Sequence, residues 1–171
     1  MTIESYYEEM SKIDWVSKYY KVILPICFFG GIVLIAWNCI FAQLWNSPLL
    51  IVHSVLLALC MPAWASFKSF DRTAFVFNIV FLSFQIVNTV AIMIIEIISI
   101  IAIISASAIA SSALSSIPLL GSVGAIASGI GAAIMLCFII FRAVQLFFFL
   151  YPFAMMIKDR RIFVGPENVD K

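Results

Sequence analysis

Between Ala74 and Ile157 the chain carries only two charged side chains, Glu96 and Arg142. A stretch of that length cannot be the interior of a small water-soluble domain, because its helices would have no polar face to turn to solvent. Over all 171 residues, 64% are apolar and 11% charged, against about 25% charged in ordinary soluble domains. The composition demands lipid as the solvent for most of the chain. Net charge is +1, so no basic field exists to hold nucleic acid, and nucleic-acid binding is excluded.

The expected fold is all-α: a polytopic membrane protein with four transmembrane helices. Residues 22–44 are uncharged and would rise about 34 Å as a helix, enough to cross a hydrocarbon core of about 30 Å. Trp45-Asn46-Ser47-Pro48 supplies an interfacial aromatic and a turn, and a second apolar run covers 49–64. After a polar break at 65–73, the long uncharged stretch divides into helices at 74–104 and 124–157. The Ser-, Ala- and Gly-rich segment 105–124, with Pro118, holds the dividing point and is open between loop and helix, since Ser and Ala are also compatible with helix. Residues 1–21 form an N-terminal tail and 158–171 a C-terminal tail. Charges of both signs in residues 1–21 do not make the basic n-region of a cleaved signal peptide.

Every Lys and Arg except Arg142 falls in the N-terminal tail, in the 65–73 loop or in the C-terminal tail. These three segments share one face of a four-span protein, and the positive-inside rule makes that face cytosolic. The opposite connections carry no charge and no cysteine, so an extracellular disulfide framework is excluded. Cys27, Cys39, Cys60 and Cys137 all lie in expected spans, where small apolar packing is their ordinary role; Cys60, near a cytosolic helix end, is a candidate for palmitoylation.

At 100° per residue Asn78, Gln85, Thr89 and Glu96 line one face of the third span. Two readings stand: hydrogen-bonding glue between helices, or a relay for protons or ions ending at Glu96. Arg142 is the natural counter-charge. Measured along the helices, it lies about 24 Å from Lys158, and Glu96 lies about 34 Å from Thr73, a mismatch of about 10 Å. Direct pairing is therefore open, and the alternative neighbour of Arg142 is Gln145 on nearly the same face. His53 stands alone, with no second His or carboxylate cluster, so no metal site is expected. No nucleophile, base and orienter occur at recognisable spacing, and no phosphate loop is present; neither catalytic residues nor a cofactor is expected.

Gly124 with Ser128 and Ala125 with Gly129 keep small-xxx-small spacing, which favours close helix contact. The partners this implies are the lipid bilayer and a second copy of the chain or other membrane proteins. Gly30 and Gly31 offer similar contacts in the first span. In the tail, Ile3, Tyr6, Tyr7, Met10 and Ile13 share a helical face and outline an amphipathic helix. Trp64, Phe67, Lys68, Phe70 and Arg72 mix aromatics with cations at a membrane boundary, which suits headgroup contact and anchoring.

The middle segment also carries a family likeness. Tyr19-Tyr20 before the first span, Ala36-Trp37-Asn38 within it, Pro62, Phe67-Lys68-Ser69-Phe70-Asp71-Arg72-Thr73-Ala74-Phe75 and then Phe81-Leu82-Ser83-Phe84-Gln85 resemble the core of secretory carrier-associated membrane proteins. The likeness covers roughly residues 15–162. That family's Cys-Trp-Tyr-Arg-Pro is replaced by Cys60-Met61-Pro62-Ala63-Trp64, and Asn-Pro-Phe repeats are absent. The resemblance implies a non-enzymatic role in vesicle trafficking or membrane organisation, on post-Golgi or endosomal vesicles or the plasma membrane. The alternatives are a channel or transporter subunit using Glu96 and Arg142, and an accessory subunit of a larger membrane complex.

Overall fold

The computed structural model describes residues 8–10, 12–41, 48–113 and 118–164, with the side chains of all of these except 41, 107, 110–113, 118–128 and 164. Within that range four helices are long and apolar enough to cross a membrane. The chain is an all-α polytopic membrane protein.

Helix α1, Asp14–Ile40, starts earlier than the hydropathy boundary at residue 22. Asp14 accepts from Lys18 Nζ at 2.7 Å one turn on, a favourable i,i+4 pair that extends the helix into charged sequence. Its segment Tyr19–Ile23 is π-helical, with Leu24 N–H donating to Tyr19 O. The cause lies just ahead: Pro25 has no N–H to offer the preceding turn, and a wider turn lets later donors serve the carbonyls. Helix α2, Pro48–Phe67, begins with proline at its first position, where a missing N–H costs nothing. A Cβ on Gly31 of α1 would lie 3.3 Å from Leu57 Cδ1 of α2, whereas one on Gly30 meets nothing within 4 Å. Close contact between α1 and α2 therefore runs through Gly31.

The link from α2 to helix α3, Arg72–Ala113, is short. Ser69 N–H bonds Ser66 O and Phe70 N–H bonds Phe67 O, and Phe70 takes φ 47°, the left-handed conformation in which a helix commonly ends on glycine. The Asp71 carboxylate then accepts the Ala74 N–H at 2.7 Å and caps α3. Helix α4 is Pro118–Lys158, and a 3-10 turn follows at Arg160–Val164.

The stretch 105–124, open in the sequence between loop and helix, is helical up to Ala113 and again from Pro118. Alanine is the strongest helix former, and serine in an apolar helix satisfies itself on the preceding turn, as Ser99 Oγ does on Ile95 O at 2.8 Å. Pro118 opens α4 rather than breaking it. The expected helices at 74–104 and 124–157 are thus both longer. Ile3, Tyr6 and Tyr7, most of the 45–48 turn and residues 165–171 lie outside the described residues.

The chain forms two compact units. The first, Met1–Ile86 with Phe148–Lys171, contains the buried core: Trp15, Tyr19, Leu24, Cys60, Ala63, Phe67, Phe70, Phe81, Leu82, Phe149, Met156 and Phe163. The second, Val87–Phe147, consists of the adjoining lengths of α3 and α4, and its apolar side chains are mostly exposed.

Candidate functional site

In the first unit, aromatic side chains from three separate stretches of chain meet at the charged end. Tyr20 stacks on Phe67 at 6.0 Å and meets Trp64 edge-on at 6.5 Å. Phe163, from the turn after α4, lies 6.0 Å from Phe67, 6.1 Å from Phe70 and 5.6 Å from Phe75. Offset and edge-on pairs at such separations add about 0.5–1.5 kcal/mol each beyond their burial. The indole Nε1 of Trp15 donates to Asp159 Oδ2 at 3.0 Å, tying the start of α1 to the end of α4. The N-terminal segment, the α2–α3 link and the C-terminal turn are thereby one platform.

The same segments carry cations. Lys68 Nζ sits 5.0 Å over the Tyr20 ring, within cation–π range, and Lys21, Arg72, Lys158, Arg160 and Arg161 are exposed. Met10 and Ile13 pack against the core. Of the interfacial residues singled out in the sequence, Phe67 and Phe70 are buried, Trp64 is half-buried, and Lys68 and Arg72 face outward. A shallow recess of about 270 Å³ opens among Tyr20, Phe28, Met61, Trp64 and Ala65.

The polar face of α3 has two different environments. Asn78 is buried with its amide engaged: Nδ2 donates to Ala63 O at 2.9 Å and to Ala74 O at 2.8 Å, and Oδ1 accepts from the Tyr19 hydroxyl at 2.9 Å. It joins α1, α2 and α3, the geometry of interhelical glue. Gln85 and Thr89 are also buried. Glu96 lies in the second unit, where its Oε1 is 3.6 Å from Arg142 Nε, and Arg142 Nη1 donates to Gln145 Oε1 at 2.8 Å. At 3.6 Å the charges attract without a hydrogen bond, and Glu96 Oε2 and Arg142 Nε have no hydrogen-bond partner among the described residues.

Glu96 and Arg142 thus come within reach of each other, the pairing that helix rise alone left open.

Cβ atoms built on Gly129 and Gly131 meet nothing within 4 Å, and the side chains of Gly124, Ala125 and Ser128 lie outside those described. Cys60, the palmitoylation candidate, is buried, its Sγ–H donating to Leu24 O at 3.7 Å. All four cysteines are free thiols. His53 is half-buried in α2. No group of three His, Cys, Asp or Glu able to hold a metal occurs among the described residues.

Trp15, Tyr19 and Asp159 were not legible as site residues. Their contacts join segments remote in the chain, and no local spacing announces them. Comparison with protein-family models, with curated proteins and with solved structures finds no match for this chain.

Proposed function

We propose that this chain is a non-enzymatic integral membrane protein that organises membranes or acts in vesicle trafficking, with the aromatic platform as its working surface on the cytosolic side. The observation that carries this reading is the platform itself. Three chain segments that could have been independent tails are joined by Trp15–Asp159 and by the Phe163 cluster into one surface, and the same segments carry exposed cations. Such a surface suits anionic headgroups, where each nearby Lys or Arg contributes about 1 kcal/mol, and it can present a constant shape to a protein partner. The positive-inside rule supports a cytosolic position for both ends and for the 65–73 loop. The likeness of residues 67–75 to secretory carrier-associated membrane proteins supports post-Golgi or endosomal vesicles or the plasma membrane as the site of action.

The test combines topology with distribution. A membrane-impermeant thiol reagent should label Ser47→Cys only from the exoplasmic side, and labelling from the cytosol overturns the orientation. A tagged chain should concentrate on post-Golgi or endosomal membranes, and Lys68→Glu with Arg72→Glu should disperse it without changing its topology. Proton or ion flux in proteoliposomes, lost in Glu96→Gln, would replace this reading with a channel or transporter.

A further inference from the structure

The second unit, Val87–Phe147, is built from lengths of two helices and has no interior of its own. Among its described residues only Thr89 is buried. Ionisable side chains within spanning helices ordinarily face the inside of a bundle, where other helices supply their partners. Here a charged pair is held by two helices alone.

Glu96 and Arg142 do not satisfy each other. Arg142 gives one N–H to Gln145 Oε1, and its Nε lies 3.6 Å from Glu96 Oε1, too far for a hydrogen bond. Nε and Glu96 Oε2 have no hydrogen-bond partner among the described residues. A guanidinium offers further N–H donors in a fixed fork, and a carboxylate only acceptors. The layer therefore holds surplus donors and surplus acceptors side by side, and Arg142 is 28% exposed. Its open side is defined. At 100° per residue Ile134, Phe138, Phe141 and Gln145 lie on one flank of Arg142, and Met135 and Ile139 on the other. Ile134, Phe138 and Phe141 are exposed, whereas Met135 and Ile139 are half-buried. The hydrogen bond to Gln145 turns the guanidinium toward the exposed flank.

The charges of the layer select what can cover it. A lipid phosphate or other anion would suit Arg142 but be repelled by Glu96 beside it, and a cation would do the reverse. The layer as a whole is neutral and needs donors and acceptors at one level. A second copy of the chain brings both. Copies inserted in the same direction and related by a two-fold axis along the bilayer normal meet residue for residue at the same level. Arg142 of each copy then faces the carboxylate and carboxamide of the other, with the apolar flank packing around them.

We propose that the flank of α4 carrying Ile134, Phe138 and Phe141 is the interface with a second copy of this chain, and that Glu96, Arg142 and Gln145 form its self-complementary polar layer. The inference goes beyond the trafficking reading and holds whichever face is cytosolic, so its test is made in vesicles and the distribution test above can fail or succeed separately.

Full chains bearing a donor or an acceptor fluorophore on a C-terminal tag are reconstituted together in phosphatidylcholine vesicles and diluted with lipid. The expected result is energy transfer that persists on dilution and fits a dimer. With Cys27, Cys39, Cys60 and Cys137 replaced by Ala, Phe138→Cys should cross-link between copies, and Ala143→Cys on the opposite flank should not. Glu96→Leu with Arg142→Leu removes the layer without leaving a lone charge and should weaken association about tenfold. Copies with Glu96→Arg and copies with Arg142→Glu should each fail to associate with themselves and should associate with one another. Should either charge variant fail to incorporate, the double Leu variant and the cross-links decide. Energy transfer in the wild type no greater than chance encounter overturns the proposal, because lipid or water then covers the layer. Undiminished association of the double Leu variant, cross-linking at 143 but not at 138, or incorporated charge variants that do not pair overturn it as well, because the copies then meet elsewhere.

Discussion

The hydroxyl of Tyr19 donates to Oδ1 of Asn78 at 2.9 Å, and both side chains are wholly buried. This one bond connects the π-helical turn of α1 to α3 at the point where α2 also contributes a carbonyl acceptor. Loss of a partner here leaves a buried acceptor unsatisfied, a cost of about 1–3 kcal/mol. Tyr19→Phe should therefore destabilise the protein by about 1–2 kcal/mol despite its near-identical shape. Asn78→Leu should cost more, since it also abandons the carbonyls of Ala63 and Ala74. A double-mutant cycle read by thermal unfolding in detergent should show coupling between the two positions; strict additivity would mean that the bond carries no energy.

What the sequence made legible divides along a physical line. Hydropathy found the four spans because lipid contact is a property of each residue taken separately. The faces of α3 were also readable, since 100° per residue places Asn78, Gln85 and Thr89 together. Contacts between segments were not. Nothing local links Trp15 to Asp159, and helix rise alone left the pairing of Glu96 with Arg142 open. The Ser- and Ala-rich stretch from 105 was open between loop and helix for a local reason: small residues mark turns in water, but in an apolar setting their own helix satisfies the backbone. The left-handed Phe70 had no signature at all, since its burial against Phe67 and Phe163 is what holds it there.

Joining the chain's two ends, the Trp15–Asp159 hydrogen bond should protect the C-terminal turn. Asp159→Ala is expected to leave the four helices in place while loosening Arg160–Val164, seen as faster amide exchange and earlier proteolysis after Lys158. The cost should be about 1 kcal/mol, typical of one partly buried hydrogen bond. Trp15→Phe should give the same exchange pattern, because it removes the same donor while keeping an aromatic ring.

At the α2–α3 link, Asp71 can be separated from its neighbour Phe70. Asp71→Ala removes the cap on the Ala74 N–H and should lower stability by about 0.5–2 kcal/mol, with Asp71→Asn recovering most of it. Phe70→Gly relieves the positive φ and discards a buried ring, so relief and loss oppose each other. Burial of an aromatic side chain outweighs the backbone term, and thermal unfolding should show Phe70→Gly to be destabilising.

The paired glycines of α1 should respond differently to the same change. Gly30→Ala places a methyl in open space and gains helix propensity worth up to about 1 kcal/mol. At Gly31 the added Cβ presses on Leu57 Cδ1, the tip of a flexible side chain, so Gly31→Ala should gain less and Gly31→Val should destabilise. Equal effects at the two positions would show that α1 and α2 do not meet at Leu57.

Glu96 and Arg142 form an attractive but unbonded pair at 3.6 Å, and their joint removal should be milder than removal of either. Glu96→Gln leaves the guanidinium with only neutral amide acceptors, the new one at position 96 and Gln145. Arg142→Gln leaves a carboxylate with no cation near it. Breaking a desolvated pair by deleting one partner costs about 3–5 kcal/mol when burial is complete; here Arg142 is 28% exposed and Glu96 13%, so about 1–3 kcal/mol is the expected loss for each single variant. With both charges gone, two amides and Gln145 can hydrogen-bond among themselves, and the double variant should lie within about 1 kcal/mol of wild type. Denaturation in mixed micelles measures the three variants. If the losses of the single variants simply add in the double, the pair is not a unit, and the register that sets Glu96 opposite Arg142 is wrong.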